Sequence, residues 1–289
     1  MISEKTKRSF KRRGYIILND ILDDAVVEQA QSLIWESLPV SRDASVDEMH
    51  GRGYEFVSDV ADKGPFAEIR KAVFPYAETL VGEGKLVSPG SDFDLPSEMQ
   101  IPVNYPENVA YANSHLRQMD GGHVDGYGAH FRDPNDQKAG TYDYYTIGAT
   151  VYLDEVKPGG GGFTVFPGSH WIAEKYYREH SLESPGWLGD LPALNNDGGW
   201  NYEEPLHRQL RATEITGPPG TVTLWHMRLL HGAGINQRSL PRLAAITRYT
   251  HHDGEEIQRD AVRNIWRYWE AMEAVDTGLE TSPLTIIDD

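Results

Sequence analysis

Apolar positions recur with two different periods along the chain, and the change from one to the other divides it. Behind the basic stretch FKRRG, which reads as the end of a short helix, Tyr15 to Leu18 is an unbroken apolar run that predicts a strand. Val26, Val27, Ala30, Leu33 and Ile34 then recur at helical spacing until Pro39, with Asp20 or Asp23 available as the N-terminal cap. A further helix is expected over Phe66 to Leu80, so residues 1–95 read as a helical annex with loops. From about Glu98 the pattern shortens to β-rich runs bounded by Gly, Pro, Asn and Asp: MQIPVNY, YYTIGATVYLDEV, GFTVFPGSH, TVTLWH and RLAAITRYTHH. Strands that follow one another without regular intervening helices predict an antiparallel barrel or jelly roll rather than a parallel βαβ sheet. The β core is expected over 96–253, interrupted by an insertion at about 171–210, and Gly254 to Val275 reads as an amphipathic helix opening a tail to 289.

Composition narrows the chemistry. With 289 residues, 39% hydrophobic and 25% charged, the chain can bury one large core, and disorder is not indicated. It contains no cysteine, which excludes disulfides, thiolate metal sites, iron–sulfur clusters and a Cys nucleophile together. Any metal must bind through His, Asp or Glu. The 27 basic and 44 acidic residues give a net charge of −17, a sign that repels phosphate backbones and argues against nucleic acid as a partner. Apolar runs fall short of the ~18 residues that a membrane span needs, and the four-residue apolar run behind the basic residues of the first helix is too short for the apolar region of an export signal. A cytoplasmic monomer or homodimer acting on a small molecule is the expectation.

Among 11 histidines, spacing separates candidates from ordinary core residues. His123 and Asp125, two apart in GGHVDGYG, project to one face of an extended segment and can reach one ion. Alone, such a tripeptide is as consistent with a surface loop pair. His226 and His231 are five apart in TVTLWHMRLLHGAG, so on a continuous strand they face opposite sides and only one joins the site. Asn236 and Gln237 suggest a tight turn after His231. A hairpin centred there pairs position 231 with 242, at roughly 5 Å between Cβ atoms, and makes Arg242 a neighbour of His231. Two imidazoles and one carboxylate, from His123, Asp125 and His231, form the facial set that leaves three positions open on a ferrous ion. A fixed guanidinium beside it suits the distal carboxylate of a metal-chelating 2-oxo diacid. The plainer alternative makes His231 a satisfied core histidine and Arg242 an exposed strand residue, but their joint spacing favours the site.

These segments resemble the phytanoyl-CoA dioxygenase family of Fe(II)/2-oxoglutarate-dependent oxygenases. FKRRGYIILNDIL looks like its amino-terminal helix and strand, HVD like its iron motif, GGGGFTVFPGSHW like its Gly-rich turn and following strand, and LLHGAGIN with PR eleven residues after the His like its closing segment. The resemblance implies a double-stranded β-helix, that is, a cupin-like jelly roll with N-terminal and C-terminal helices. It also implies Fe(II) on His123, Asp125 and His231, 2-oxoglutarate paired with Arg242, and O2 as the oxidant, with succinate and CO2 released. Family members often carry a hydroxyl residue two positions after the distal His, where this chain has Ala233. Its role could fall to Thr146 and Thr150 on one face of the YYTIGATVYL segment or to Tyr145 on the other; parity alone leaves both open. Asp125 stands where halogenating relatives have a small residue, which favours hydroxylation-type chemistry.

Tyr105, His115, Arg117, Tyr127, His130 and Arg132 flank the iron motif and are candidate substrate contacts, with Trp187 to Tyr202 as a possible lid. Each has a packing or solvent-facing alternative. His170 is expected to be structural, His251 and His252 to end a strand facing water, and the basic cluster from Lys5 to Arg13 to form a solvated helix face. Two competing functions remain: a cupin-like isomerase or epimerase using Zn or Mn, and a non-catalytic binding protein on the same fold.

Overall fold

The computed structural model describes residues 2–61, 64–91, 99–107, 119–123, 146–179, 212–254 and 264–277, with residues 58, 119–123 and 175–179 in backbone only. Helix α1 (Glu4–Arg13) is capped by Ser3, whose hydroxyl accepts from the Thr6 amide, and stops at Gly14 in the left-handed region at φ 82°. Strand β1 (Tyr15–Leu18) follows, then α2 (Asp24–Ser37), for which Asp23 is the cap that forms. A short α3 (Val46–Met49) closed by a Ser45–Glu48 capping box leads into β2 (Tyr54–Phe56) and α4 (Gly64–Val81). The β region contains β3 (Pro102–Asn104), β4 (Met119–His123), β5 (Ile147–Tyr152) and β6 (Phe163–Val165). Helix α5 (Ser169–Glu179) precedes β7 (Thr213–Glu214), β8 (Val222–His226), β9 (His231–Gly234) and β10 (Arg242–Tyr249), and α6 (Glu270–Glu273) comes last.

The strands form two antiparallel sheets, one ordered β1-β8-β5-β10-β3-β2 and the other β4-β9-β6-β7. This is the predicted jelly roll with helical additions. Alternation along β5 explains its two faces: Ile147, Ala149 and Val151 join the cluster with α2 and α4, whereas Tyr152 joins a second cluster with Phe163, Val165 and Trp225 between the sheets. Thr150 shares the parity of Tyr152 and so points inward, which answers for this residue the question that parity alone left open. The annex supplies both edges of the larger sheet, β1 at one end and the unanticipated β2 at the other. Among the described residues no helix is long and apolar enough to cross a membrane.

Several local expectations are corrected. The stretch from Thr221 to Gly234 is not one strand: a turn at 227–229 sends β8 into one sheet and β9 into the other. Strands β9 and β10 therefore do not form a hairpin, and His231 and Arg242 are not cross-strand partners. The cause is Asn236, fully buried, whose Nδ2 donates to the carbonyls of Asn104 (2.9 Å) and Leu240 (2.8 Å) and whose carbonyl accepts from the Glu107 amide. Such distant partners turn a supposed tight turn into a crossover between sheets.

The expected C-terminal helix is also not continuous. Its described part, 264–277, is a chain of i→i−3 turns, with Arg267, Trp269, Met272 and Val275 donating to Asn264, Trp266, Trp269 and Met272, and only α6 is helical. The buried residues Trp266, Trp269, Met272 and Val275 are spaced by three, which suits those turns better than a 3.6-residue helix. The insertion begins as α5, and its remainder, including the proposed lid, lies outside the described residues. His251 is buried and bridges to Leu86, with only His252 exposed. Lys11 is not on a solvated face, because its ammonium donates to the carbonyls of Met272 (2.6 Å) and Val275 (2.9 Å).

Candidate active site

A cavity of about 410 Å³ opens between the sheets, and His231 from β9 and Arg242 from β10 both line it. His231 is 5% exposed. Its Nδ1 donates to the Leu229 carbonyl at 2.9 Å, and in a neutral ring that contact selects the tautomer whose lone pair is on Nε2. Aromatic walls hold the ring, with Trp225 at 4.3 Å and Phe163 at 5.3 Å between centroids. Strand β9 lies between β4 and β6, so the backbone partners of His231 are His123 on one side and Val165 on the other. The β4–β9 register shifts between Asp120 and His123, a bulge immediately before the first candidate ligand. Asp125 lies outside the described residues.

Arg242 is also 5% exposed. Its Nε donates to the Gly161 carbonyl at 3.0 Å, and its guanidinium carbon sits 5.7 Å over the ring of Tyr54. Among the described residues no carboxylate forms an ion pair with it. Among the described residues this buried, permanently charged fork is held by a carbonyl and a ring, an arrangement whose chemistry suits an anion.

The remaining candidates separate. Thr150 lines the cavity, where its Oγ1 accepts from Trp225 Nε1 at 3.2 Å. Thr146 does not line it: the residue precedes β5 at the far end, and its Oγ1 accepts from the His251 amide at 3.0 Å. Tyr105 is a core residue and not a cavity contact, because its hydroxyl donates to Glu55 at 2.7 Å and burial pushes its pKa up. Tyr145, His115, Arg117, Tyr127, His130 and Arg132 lie outside the described residues. Sequence reasoning missed Tyr54, Phe56, Asn104 and Trp225, all of which line the cavity. The alternation in GYEFV was the available signal for the first two.

His226 and His170 are structural. His226 donates from Nε2 to the Ile265 carbonyl at 3.1 Å and accepts at Nδ1 from the Arg228 amide at 3.0 Å, and burial drives its pKa far down. His170 donates to the Lys11 carbonyl at 3.1 Å, and burial lowers its pKa to about 3.

Residues 120–244, which span from β4 into β10 and include both candidate ligand motifs and Arg242, match the family model described as Phytanoyl-CoA dioxygenase (PhyH). A probable alpha-ketoglutarate-dependent hypophosphite dioxygenase from Stutzerimonas stutzeri is 32% identical over 111 residues, 38% of this chain and 35% of that protein. The match thus spans about a third of the length of that relative. The solved epimerase SnoN from nogalamycin biosynthesis, described as non-heme and alpha-ketoglutarate-dependent, aligns over 86% of this chain and 82% of its own with 21% identity and a TM-score of 0.52. The carbocyclase SnoK of the same biosynthesis aligns over 88% and 89% with 18% identity and a TM-score of 0.50. These two likenesses are of fold.

Proposed function

We propose, from the match of residues 120–244 to the phytanoyl-CoA dioxygenase family model, that this protein is an Fe(II)- and 2-oxoglutarate-dependent oxygenase acting on an organic small molecule. One observation carries the proposal: His231 and Arg242, on strands of opposite sheets, line a single cavity. In this reading His123, Asp125 and His231 hold the iron, and Arg242 pairs with the distal carboxylate of 2-oxoglutarate. The donor set fits the group. With Nδ1 on the Leu229 carbonyl, a neutral His231 would offer Nε2 to a metal, its backbone partner across the ladder is a second histidine, and the buried guanidinium would match a carboxylate. When bound, ferrous ion and 2-oxoglutarate would supply the chemistry that activates O2, the oxidant, with 2-oxoglutarate itself oxidised to succinate and CO2.

The chain's own contribution is position and dryness. Leu229 and the Trp225–Phe163 walls fix His231, and Gly161 and Tyr54 fix Arg242. Trp225, Phe163 and Ile246 exclude water around them, and Thr150 puts a hydroxyl on the wall where Ala233 supplies none. Tyr54, Phe56 and Ile246 make much of the lining apolar, and the volume falls within the range of organic-ligand pockets. An organic substrate fits that lining better than the small oxyanion in the curated relative's name.

The test is succinate formation by the full chain with Fe(II), 2-oxoglutarate and oxygen across a metabolite panel. Substrate-stimulated succinate is expected, and Arg242→Leu should raise the 2-oxoglutarate KM by tenfold or more, as expected for a lost charge-assisted pair, while iron still binds. Equal 2-oxoglutarate affinity in mutant and parent would remove the assignment. Turnover of a sugar or keto acid without succinate would favour the isomerase instead.

A further inference from the structure

Arg242 is one member of a row. Its Cα partner on β3 is Asn104, and the partner of Asn104 on β2 is Tyr54, so the three residues lie side by side across three strands. Residues in one cross-strand row share a face, and all three line the cavity. Asn104 is 2% exposed, and its Nδ2 donates to the carbonyls of Gly161 (3.2 Å) and Gly234 (2.8 Å). The Gly161 carbonyl is the same oxygen that accepts from Arg242 Nε. Two donors converging on one carbonyl hold it in place and tie the root of the guanidinium to the opposite wall. Gly161 makes this possible: its φ is +73°, and a Cβ there would collide with Asn104 Nδ2 and come within 2.8 Å of Asn236 Cβ. On its other side the guanidinium lies over Tyr54, within cation–π range, although that ring is 42% exposed at the cavity mouth.

We propose that Tyr54 and Asn104 are positioning residues for Arg242: Asn104 fixes the carbonyl to which the guanidinium is tied, and the Tyr54 ring braces the guanidinium from the annex side. The proposal rests on the assignment of Arg242 as the anchor of the 2-oxoglutarate distal carboxylate. An unbraced arginine surrenders its rotamer freedom only when the anion arrives, which weakens binding; a braced one has already done so. The annex, through β2, thereby takes part in cosubstrate binding.

Calorimetric titration reads this on the full chain. The probes are 2-oxoglutarate with Fe(II) under nitrogen, and glutarate, a diacid of the same length with no keto oxygen to chelate metal. Tyr54→Leu should weaken both about five- to tenfold, the range of a partly exposed cation–π contact, and Tyr54→Phe should restore parent affinity because the ring suffices. Asn104→Asp keeps the shape but replaces the amide donor with an acceptor that draws the guanidinium to itself, so both diacids should weaken more than with Tyr54→Leu. Iron affinity should stay unchanged throughout, which a merely structural defect would not spare. Tyr54 is partly exposed, so its variants keep the test informative even if Asn104→Asp fails to fold. Parent-like diacid affinity in Tyr54→Leu, with Arg242→Leu impaired, overturns the positioning roles alone. No 2-oxoglutarate binding by the parent overturns both them and the oxygenase reading.

Discussion

Two buried histidine environments in this molecule are built in different ways. His231 has one ring nitrogen committed to the Leu229 carbonyl and its ring on the cavity wall. His226 has both nitrogens engaged by backbone, Nε2 by Ile265 and Nδ1 by Arg228, and its ring stacks on Trp269 at 5.0 Å and 20°. Beside it, at 5.6 Å, His170 packs between Trp171 and Trp266, with Nδ1 where a Cβ on Gly14 would come within 2.7 Å. Burial of an imidazole is therefore no mark of a metal ligand. What distinguishes them is the setting of the ring: His226 has both nitrogens engaged by backbone, His170 has Nε2 on the Lys11 carbonyl and Nδ1 buried without a hydrogen-bond partner among the described residues, and the ring of His231 lines the cavity.

The most severe way to break this distinction is to delete each ring. His231→Ala should abolish Fe(II) binding and lower succinate formation by more than the roughly 10–100-fold that loss of a supporting outer partner costs, in a protein that still folds. His226→Ala should do the reverse, destabilising the fold by about 2–4 kcal/mol, the range for large-to-small core changes, while the remaining folded fraction still binds iron. Metal titration and denaturant unfolding on both variants separate the outcomes. A fully stable His226→Ala protein without iron affinity would dissolve the distinction.

The second test uses pH. Burial depresses the folded-state pKa of both nest histidines, His170 to about 3. An unfolded histidine titrates near 6.5, so below that pH the unfolded state binds more protons and stability falls with pH. For His170 the loss continues down to about pH 3, at about 1.4 kcal/mol per pH unit per ring once titration is complete in the unfolded chain. The charges facing the nest are the Lys11 ammonium, the Arg228 guanidinium and the Glu174 carboxylate that accepts from the Ile265 amide. None of them titrates in that window in the unfolded chain except Glu174 near its lower end. Urea unfolding between pH 4 and 7 should show the slope, and the double variant His170→Phe, His226→Phe should flatten it. An undiminished slope in that variant would assign the acid sensitivity elsewhere.

The same contrast shows what could be read from the chain alone. Strands β1, β5, β8 and β10 were legible because each is a short run rich in β-branched, aromatic and small apolar residues, and α2 because Val27, Ala30 and Ile34 keep a helical period. His231 and Arg242 were expected to be neighbours, and they do share one cavity, but the route was wrong. No hairpin joins them; Asn236 reaches back to Asn104, 132 residues away, and carries the chain from one sheet to the other. Partners that distant leave no local trace. The jelly-roll crossover, the three-residue β2 and the i→i−3 turns under Trp266 and Trp269 all depend on them. His170 was legible as structural, whereas His251, expected to face water at the end of a strand, is buried and bridges to Leu86.

The mildest test concerns the rings beneath the two histidines. His226 rests on Trp269, and His231 lies against Trp225, whose Nε1 donates to Thr150 Oγ1 at 3.2 Å. Thr150→Val removes that acceptor at nearly constant volume and should cost about 0.5–1.5 kcal/mol, the net worth of one hydrogen bond, with Thr150→Ser restoring it. Because Leu229 still fixes the His231 tautomer, iron affinity should fall only a few-fold, the scale of a modest outer-sphere change. The 2-oxoglutarate KM then decides what else Thr150 does. If it stays level, the hydroxyl serves only to hold Trp225 against His231. If it rises in Thr150→Val and recovers in Thr150→Ser, the hydroxyl also reaches the cosubstrate and fills the place that Ala233 leaves without an oxygen.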